Sequence, residues 1–581
     1  WAGLFRAETG KWFHLAGCLG KITHPTGSRN PDQVLNSCLF SAPQAAPTTM
    51  SRGTMSDLPH QFRLADSSSA NEVYSALCSH FHTRKERAGS LTVTYYDSFD
   101  WRLYLGGGVL RKEVEGRERR LVWASLEETP RETVRFTGAM PRFSDDVPPG
   151  LMRESLAPLL EMRALLPQVE VQSKIRLLRV LDAEEKTVLR VVFEENACRA
   201  PGRGEFAALV GRVRCLPVRG YAKHLQRVKQ FLGDRLQLPP ATDSLLQQAL
   251  AAIGRRPADY TSKLSFDFDP EMPAAQAARQ IHLHLLNTVE ANLAGARADL
   301  DSEFLHDLRV AVRRTRSALT QIKGVFAEQD IERFKAELAW VGQITGPTRD
   351  MDVYLLDFDK YRHILRPQFR QDLGPLKDFL VAHQKSEHAA MVRKINSARF
   401  RGLLAEWRRF LEAPQQEQVE APPKAALPLR KVARKRIYSI YKRVMAEGSA
   451  ITQESPAEDL HELRKSCKKL RYLIEFFRSI YPNKDVAELI KGIKTLLDNL
   501  GEFQDLQVQA FKLREFAHQI FSEGNVPADT LLAMGMLVDE LLNHQQEARA
   551  QFADRFAAFA GSGQREIFMR LFAPNKVEKS A

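Results

Sequence analysis

One helix is written twice in this chain. The stretch EFLHDLRVAVRRTRSAL, residues 303–319, returns 155 positions later as EDLHELRKSCKKLRYLI, residues 458–474. His306, Arg309, Arg313 and Arg316 map onto His461, Arg464, Lys468 and Arg471. The same interval joins Leu308 to Leu463, Arg279 to Arg434, Gly346 to Gly501 and Asp350 to Asp505. A register held without a gap from Arg279 to Asp350 marks an internal duplication, and a duplication obliges this region to fold as two copies of one unit packed together.

The surrounding pattern says what the unit is. Between Pro270 and Phe572 apolar residues recur at three- and four-residue spacing, as in AAQAARQIHLHLLNTVEANL, IERFKAELAWVGQI and VAELIKGIKTLLDNL, which is the signature of amphipathic helices. A Pro- and Gln-rich break, APQQEQVEAPPKAALP, splits the region into parts of similar length. We therefore expect an all-α domain over 269–573, with repeat halves 273–412 and 429–573, a linker at 413–428 and a tail at 574–581.

The first half follows another grammar. LTVTYYDSF (91–99), RRLVWASL (119–126), VEVQSKIRLLRVL (169–181) and TVLRVVFEE (187–195) are rich in β-branched and aromatic residues and are bounded by turn formers. NEVYSALCSHF, capped by Ser67–Ser69, and GYAKHLQRVKQFL read instead as helices. The chain is thus expected to be multidomain, an α+β domain with an antiparallel sheet or barrel over 55–268 preceding the helical one. Residues 1–54 lack periodicity, collect Gly, Pro, Ser, Thr and Asn, and precede or include the start candidates Met50 and Met55. They are expected to be a disordered leader or translated upstream sequence, KWFHLAGCLGKI being too short and broken for a signal peptide.

A formal charge of +13 favours an anionic partner, although net charge bears on association and not on fold. The six cysteines, Cys18, Cys38, Cys78, Cys198, Cys215 and Cys467, show no CxxC pair or regular spacing, so they suggest neither a zinc site nor a disulfide framework and fit a reducing cytoplasm. No apolar run of about eighteen residues occurs, and no membrane partner is expected.

Where the charge sits is more informative. On a helix, positions i, i+3, i+7 and i+10 fall within an arc of about 80°, so His306, Arg309, Arg313 and Arg316 share one stripe. Leu305, Leu308, Val312 and Leu319 form a neighbouring stripe about 100° round, which would pack into the bundle. An isolated basic stripe is usually a solvated face. Repetition of the stripe in register changes the reading, because an approximate two-fold axis would bring both copies to one groove, and core packing does not call for basic residues at matching places. Six Arg or Lys and two His converging there would repel one another unless an anion occupied the groove.

Other signals are set aside. Gly106–Gly108 lacks the Lys-Ser/Thr and helix of a phosphate loop and reads as a hairpin turn. His80/His82 and His282/His284 lie in helical patterns where i and i+2 diverge, so no metal site is expected. Asp350 and Asp505 are expected to cap the next helix or pair with groove arginines. No nucleophile or paired carboxylate accompanies His306 and His461, and no catalytic residue is assigned.

The two histidine stretches, with GPTRDMDVYL and LGEFQDLQVQ following them, closely resemble the motifs of the CHAD family of helical domains, over about 275–560. The resemblance implies a pair of four-helix units whose basic groove binds inorganic polyphosphate, in some cells on polyphosphate granules. A linear polyanion suits it, since Arg grips phosphate by paired charge-assisted hydrogen bonds and Lys by point charge. Carried over by position, the binding residues are His306, Arg309, Arg313, Arg316, His461, Arg464, Lys468 and Arg471. Arg434, Lys435 and Arg430 extend the surface from LRKVARKRIYSIYKR, which holds seven Arg or Lys and no acid, and Arg279 stands alone at the matching place in the first copy.

Residues 59–265 more faintly resemble the CYTH family, whose antiparallel tunnel binds triphosphates. YYDSFDWRLYLGGGVLRKE is similar to its strand, turn and basic strand, and PVRGYAKHLQRVKQFL to its late helix. Catalytic members open with an E-x-E-x-K strand, and here the matching stretch is LPHQFRLAD, with Arg63 on the basic residue and Pro59 and Gln61 where the glutamates would stand. Neutral groups do not replace carboxylates around Mg²⁺. The tunnel is therefore expected to be degenerate, with Arg111, Lys112, Lys174, Arg176 and Arg190 either its candidate phosphate ligands or, equally, strand residues on an exposed sheet face. The expected function is polyphosphate binding without catalysis and without a required cofactor, Mg²⁺ or Mn²⁺ entering only if the tunnel is active. A tunnel-based triphosphate or polyphosphate hydrolase is the alternative. Nucleic acid is a less favoured partner, since Tyr438, Tyr441 and Tyr472 read as core before they read as stacking platforms.

Overall fold

The structure, a computed structural model, describes residues 60–64, 67–86, 88–413, 422–524 and 526–574. The expected leader at 1–54, Pro59, residues 414–421 of the linker and the tail from 575 lie outside the described residues.

The first region is a ten-stranded antiparallel sheet: β1 (Gln61–Leu64), β2 (Thr83–Lys85), β3 (Gly89–Asp97), β4 (Gly108–Glu115), β5 (Glu118–Ser125), β6 (Pro130–Arg135), β7 (Leu166–Leu181), β8 (Thr187–Arg199), β9 (Ala207–Ala208) and β10 (Gly211–Pro217). Its order is β1-β10-β8-β7-β3-β4-β5-β6, with β2 on β7 and β9 on β8. All four stretches read as strands lie on β3, β5, β7 and β8. Five helices accompany the sheet: α1 (Ser67–His80), α2 (Arg102–Leu105), α3 (Leu151–Leu160), α4 (Ala222–Gln230) and α5 (Leu245–Ala252). Gly106 and Gly107 close the one-turn α2 inside the β3–β4 connection, so the glycine run is not a bare hairpin turn. Gly108 opens β4 under Trp123, whose ring would lie 2.1 Å from a Cβ there.

Strand alternation gives the sheet two faces. Phe62, Leu178 and Phe193 pack with Val73, Leu77 and Val228 of α1 and α4, while Leu110, Leu121 and Trp123 pack with Met152, Leu156 and Leu160 of α3. Tyr95, Val109, Val171 and Cys198 on the opposite face pack with Leu245, Leu246, Ala249 and Leu250 of α5. Helix α5 reaches both flanks of that face: its Leu245 amide donates to Glu128 beyond β5 (2.9 Å), and Gln248 accepts from Arg212 of β10 (3.3 Å). The sheet is therefore curled around α5.

Thirteen helices follow. The first copy holds α6 (Ala274–Arg297), α7 (Ser302–Gln321), α8 (Glu328–Ile344), α9 (Gly346–Leu356), α10 (Phe358–Ile364), α11 (Gly374–Ile395) and α12 (Ala398–Glu412). The second holds α13 (Leu429–Ala450), α14 (Ala457–Phe476), α15 (Asn483–Glu523), α16 (Ala528–Ala550), α17 (Phe552–Ala560) and α18 (Ser562–Phe572). The starts of α6, α7 and α8 lie 155 residues before those of α13, α14 and α15. The approximate two-fold axis is visible in the backbone, where Ala274 N donates to Leu427 O and, 155 residues on, Leu429 N donates to Met272 O, both at 2.9 Å. The copies differ after α8. Pro347 has no N–H to continue a helix and stands at the start of α9, whereas the second copy has Glu502 there and α15 runs unbroken for 41 residues.

The two copies pack through shared cores. One core joins α6, α7, α8 and α12 to α13, α14, the first half of α15, α17 and α18; the other joins α9, α10 and α11 to the second half of α15 and α16. Each copy leaves apolar faces that only the other covers.

The sheet is riveted to α7. Arg163, 1% exposed, pairs with Asp307 (2.9 Å), Asp301 (3.2 Å) and Asp100 (3.3 Å). Asp301 also caps α7, accepting from the amides of Glu303 and Phe304, and Tyr260 Oη donates to Asp307 at 3.0 Å.

Candidate functional site

A cavity of about 630 Å³ opens between α7, α9, α11, α14 and α15. Arg309, Arg313 and Arg349 from the first copy face Arg464, Lys468 and Lys512 from the second, with Asp350, Asp505 and Glu387 as the acidic lining. His306 stands at its edge. Arg309 and Arg313 of one basic stripe and Arg464 and Lys468 of the other line the same cavity.

The backbone around the groove is shaped to hold its arginines. Arg309 donates Nη1 to Gly342 O (2.9 Å) and Thr345 Oγ1 (2.8 Å), at the carbonyl end of α8 where cations are favoured. Arg464 donates to Gln504 Oε1 (2.7 Å) and to both carboxylate oxygens of Asp505 (3.1 and 3.3 Å), so Asp505 orients a groove arginine as expected. The recurrent glycines each lie beside a groove arginine, and only Gly501 is tightly placed. A Cβ on Gly501 would come within 3.3 Å of Arg464 Nη2, and one on Gly346 within 3.7 Å of Arg309 Nη1.

The electrostatics are those of like charges held together. Burial, then Arg349 and Arg313, push the His306 imidazole down to about 4. Arg349 Nη2 lies 3.0 Å from His306 Nδ1, and since a guanidinium only donates, that nitrogen is the acceptor of a neutral ring. Burial, then Arg464 and Arg313, bring the Lys468 ammonium down to about 8. An anion in the groove would reverse both shifts.

Not every residue of the stripes arrives. Arg471 turns to Glu475 (2.7 Å), which also takes Arg314 (3.4 Å). Arg316 is exposed outside the groove lining, and the His461 ring packs 6.3 Å from Phe503. Arg279 serves the scaffold: its Nη1 donates to Phe410 O (2.6 Å), Leu411 O (2.9 Å) and Ala413 O (3.2 Å), capping α12. Arg430 pairs with Glu271 at 2.7 Å, and neither Arg434 nor Lys435 lines the groove. Arg349 and Lys512 were missed. Arg349 lies between the recurrent Gly346 and Asp350 but corresponds to Gln504 in the second copy, and Lys512 corresponds to Asp357 in the first, so the repeat carries no trace of either.

In the sheet domain strand alternation puts two of the five candidates on the concave face, Arg190 near the start of β8, in phase with Glu194, and Arg111. Strand alternation sends its neighbour Lys112 outward, and it sends Lys174 and Arg176 outward from Ser173; Arg176 meets Asn71 of α1 at 2.6 Å. Arg190 is exposed. Three arginines of the concave face are already paired: Arg111 with Glu113 (2.8 Å), Arg214 with Glu194 (2.8 Å) and Arg63 with Asp243 (2.9 Å). Gln61 accepts from Arg212 at 3.3 Å.

Among the described residues no group of three or more His, Cys, Asp or Glu is placed to hold a metal ion, and no helix is long and apolar enough to cross a membrane. His282 is fully buried, 5.2 Å from Trp407. Tyr441 and Tyr472 are buried, as expected of core residues.

Residues 280–514 match the CHAD domain family model. The helical region carries a CHAD domain. No curated protein matches the chain. Among solved structures, the CHAD domain from the plant Ricinus communis is 22% identical, with a TM-score of 0.43 over 52% of this chain and 95% of its own. PptA from Streptomyces chartreusis is 17% identical, with 0.38 over 49% and 99%. HpAC1 from Hippeastrum, for which a dominant triphosphatase activity is described, is 11% identical, with 0.23 over 35% and 98%.

Proposed function

We propose that the CHAD groove binds inorganic polyphosphate and that the sheet domain, a degenerate CYTH-like tunnel, is a non-catalytic accessory. The observation that carries this reading is the convergence of six cations from both repeats on one groove, with His306 and Lys468 held below their ordinary protonation ranges. Such a site lacks only its anion. A groove that draws cations from two copies suits a chain of phosphates better than a single one, because each residue can meet a different phosphate. The paired arginines and inserted α5 on the concave side of the sheet support the accessory role. The reading carries the expectation that the protein sits in the cytoplasm, on polyphosphate granules where cells make them.

The test is binding of the chain to long-chain polyphosphate at physiological salt, with single-stranded RNA and duplex DNA as competitors at matched phosphate, alongside phosphate release with Mg²⁺ or Mn²⁺. Tight binding that nucleic acid does not displace, without release, is expected. Equal displacement by RNA would reduce the groove to a general polyanion surface, and metal-dependent release would make the sheet domain a hydrolase.

A further inference from the structure

A second set of cations lies outside the groove. Lys323, just past α7, Lys424, in the segment entering α13, and Lys431, Lys435 and Arg436 on α13 line a cavity of about 190 Å³ that has no acidic residue in its described lining. Among the described residues none of the four lysines has an ion-pair partner. Arg436 is fixed by a bond from Nη2 to Gln321 Oε1 (2.6 Å), and its Nε is buried without a partner.

The duplication supplies an internal control. By the 155-residue offset, Lys323 corresponds to Arg478, Lys424 to Asp269, Lys431 to Gln276, Lys435 to Gln280 and Arg436 to Ile281. The equivalent place in the other half, around Phe476 and Arg478, is a cleft bordered by Phe266, Asp267 and Glu475, and the Phe268 amide donates to Ser479 Oγ there at 3.1 Å. The scaffold is thus built at that place with one cation, two amides, an acid and an isoleucine. Packing does not require five cations on the other side, and gathering them costs repulsion.

We propose that this pocket is a second anion site, for a compact condensed phosphate of the size of pyrophosphate or triphosphate. Its volume is below the roughly 300–1,000 Å³ of sites that enclose drug-sized ligands, which suits a compact group of linked phosphates, and several lysines match their several oxygens. The ligand has two sources, a free oligophosphate or the end of a long chain leaving the groove. Arg313 and Lys323 are about 15 Å apart along the helix direction at 1.5 Å per residue, with Arg316 between them. The pocket itself does not rest on the groove reading; only the second source does.

The experiment is calorimetric titration of the full chain with inorganic triphosphate and, separately, long-chain polyphosphate, on the wild type, R313E/K468E and K431E/K435E. Triphosphate binding in R313E/K468E should persist within about threefold, and K431E/K435E should lose at least about tenfold in one triphosphate site. Since Lys431 and Lys435 are exposed, K431Q/K435Q with an unchanged melting temperature serves as the folding control. If K431E/K435E also weakens long-chain binding, the pocket takes the end of a bound polymer; if it does not, the ligand is a free oligophosphate. Loss of all triphosphate binding in R313E/K468E, or none in K431E/K435E, would overturn the proposal. Failure of the groove reading would show separately, as unchanged long-chain binding in R313E/K468E.

Discussion

The groove and the concave face of the sheet are both rich in arginine, and they handle it oppositely. On the sheet, Arg111, Arg214 and Arg63 each face a carboxylate within 3 Å, and α5 fills the space before them. In the groove six cations meet three acids, and the acid in direct contact, Asp505, orients Arg464 without covering the cluster. A count of basic residues does not separate these two regions. Pairing does, because a paired arginine must break an existing bond before it can hold a ligand.

The sharpest way to break this comparison is to reverse charge in the groove and, separately, at cations of the sheet domain outside its paired concave arginines. R313E/K468E removes two charge-assisted contacts, each worth about 1.5–3 kcal/mol, and replaces them with repulsion, so polyphosphate affinity should fall by at least about 100-fold. Neither residue makes a hydrogen bond or ion pair that holds the scaffold, and the melting temperature should stay. The sheet triple variant K112E/K174E/R190E should bind within about twofold of wild type. Comparable losses in both would show that the protein binds by overall charge and not through the groove.

The next effect is on stability. Breaking a buried ion pair by removing one partner costs about 3–5 kcal/mol, and Arg163→Ala would leave Asp301 and Asp307 without their cation at the junction of sheet and α7. A clear fall in the denaturant midpoint is expected. Because Asp307 adjoins His306, polyphosphate affinity should fall as well; unchanged affinity would mean that the groove helix is held by the helical domain alone.

Much of this was legible in the sequence. Period-3.6 and period-2 patterns reported real burial, so helices α6 to α18 and strands β3, β5, β7 and β8 lie close to where they were expected. The duplication reported the axis and the shared groove. Helix α5 and the exchange of helices between the two cores were not legible, since both depend on which apolar face meets which, and a pattern names the face but not its neighbour. Arg471 shares the stripe periodicity of the groove-lining residues, and Arg279 shares the 155-residue register of the repeat. They are diverted by local acceptors, the carbonyl end of α12 and Glu475, which no spacing rule sees.

A moderate effect should appear with pH. Lys468 has a folded value of about 8, below the ordinary lysine range, so above pH 8 the unliganded groove loses that one charge. Phosphate restores that charge, binding takes up a proton, and affinity should fall as pH rises from 7 to 9. At pH 9 the amine is mostly neutral, a loss of about tenfold that K468R should remove. The stability sign is opposite: between pH 8 and the ordinary lysine range the unfolded chain binds more protons at this position, so this group favours the unliganded fold increasingly as pH rises. His306, lowered to about 4, adds a window on the acid side, where stability is lost as pH falls from its ordinary value toward 4.

The smallest effect separates scaffold from site most finely. Gly501 lies inside the unbroken α15, where alanine should add about 0.5–1 kcal/mol of helix stability. The new Cβ would stand 3.3 Å from Arg464 Nη2, close enough to move that guanidinium by a few tenths of an ångström and disturb its bonds to Gln504 and Asp505. Gly501→Ala should therefore raise the melting temperature while weakening polyphosphate binding by about two- to threefold. A rise in both would mean that Arg464 does not grip the ligand from its present position, and that the glycine is kept for a reason other than the groove.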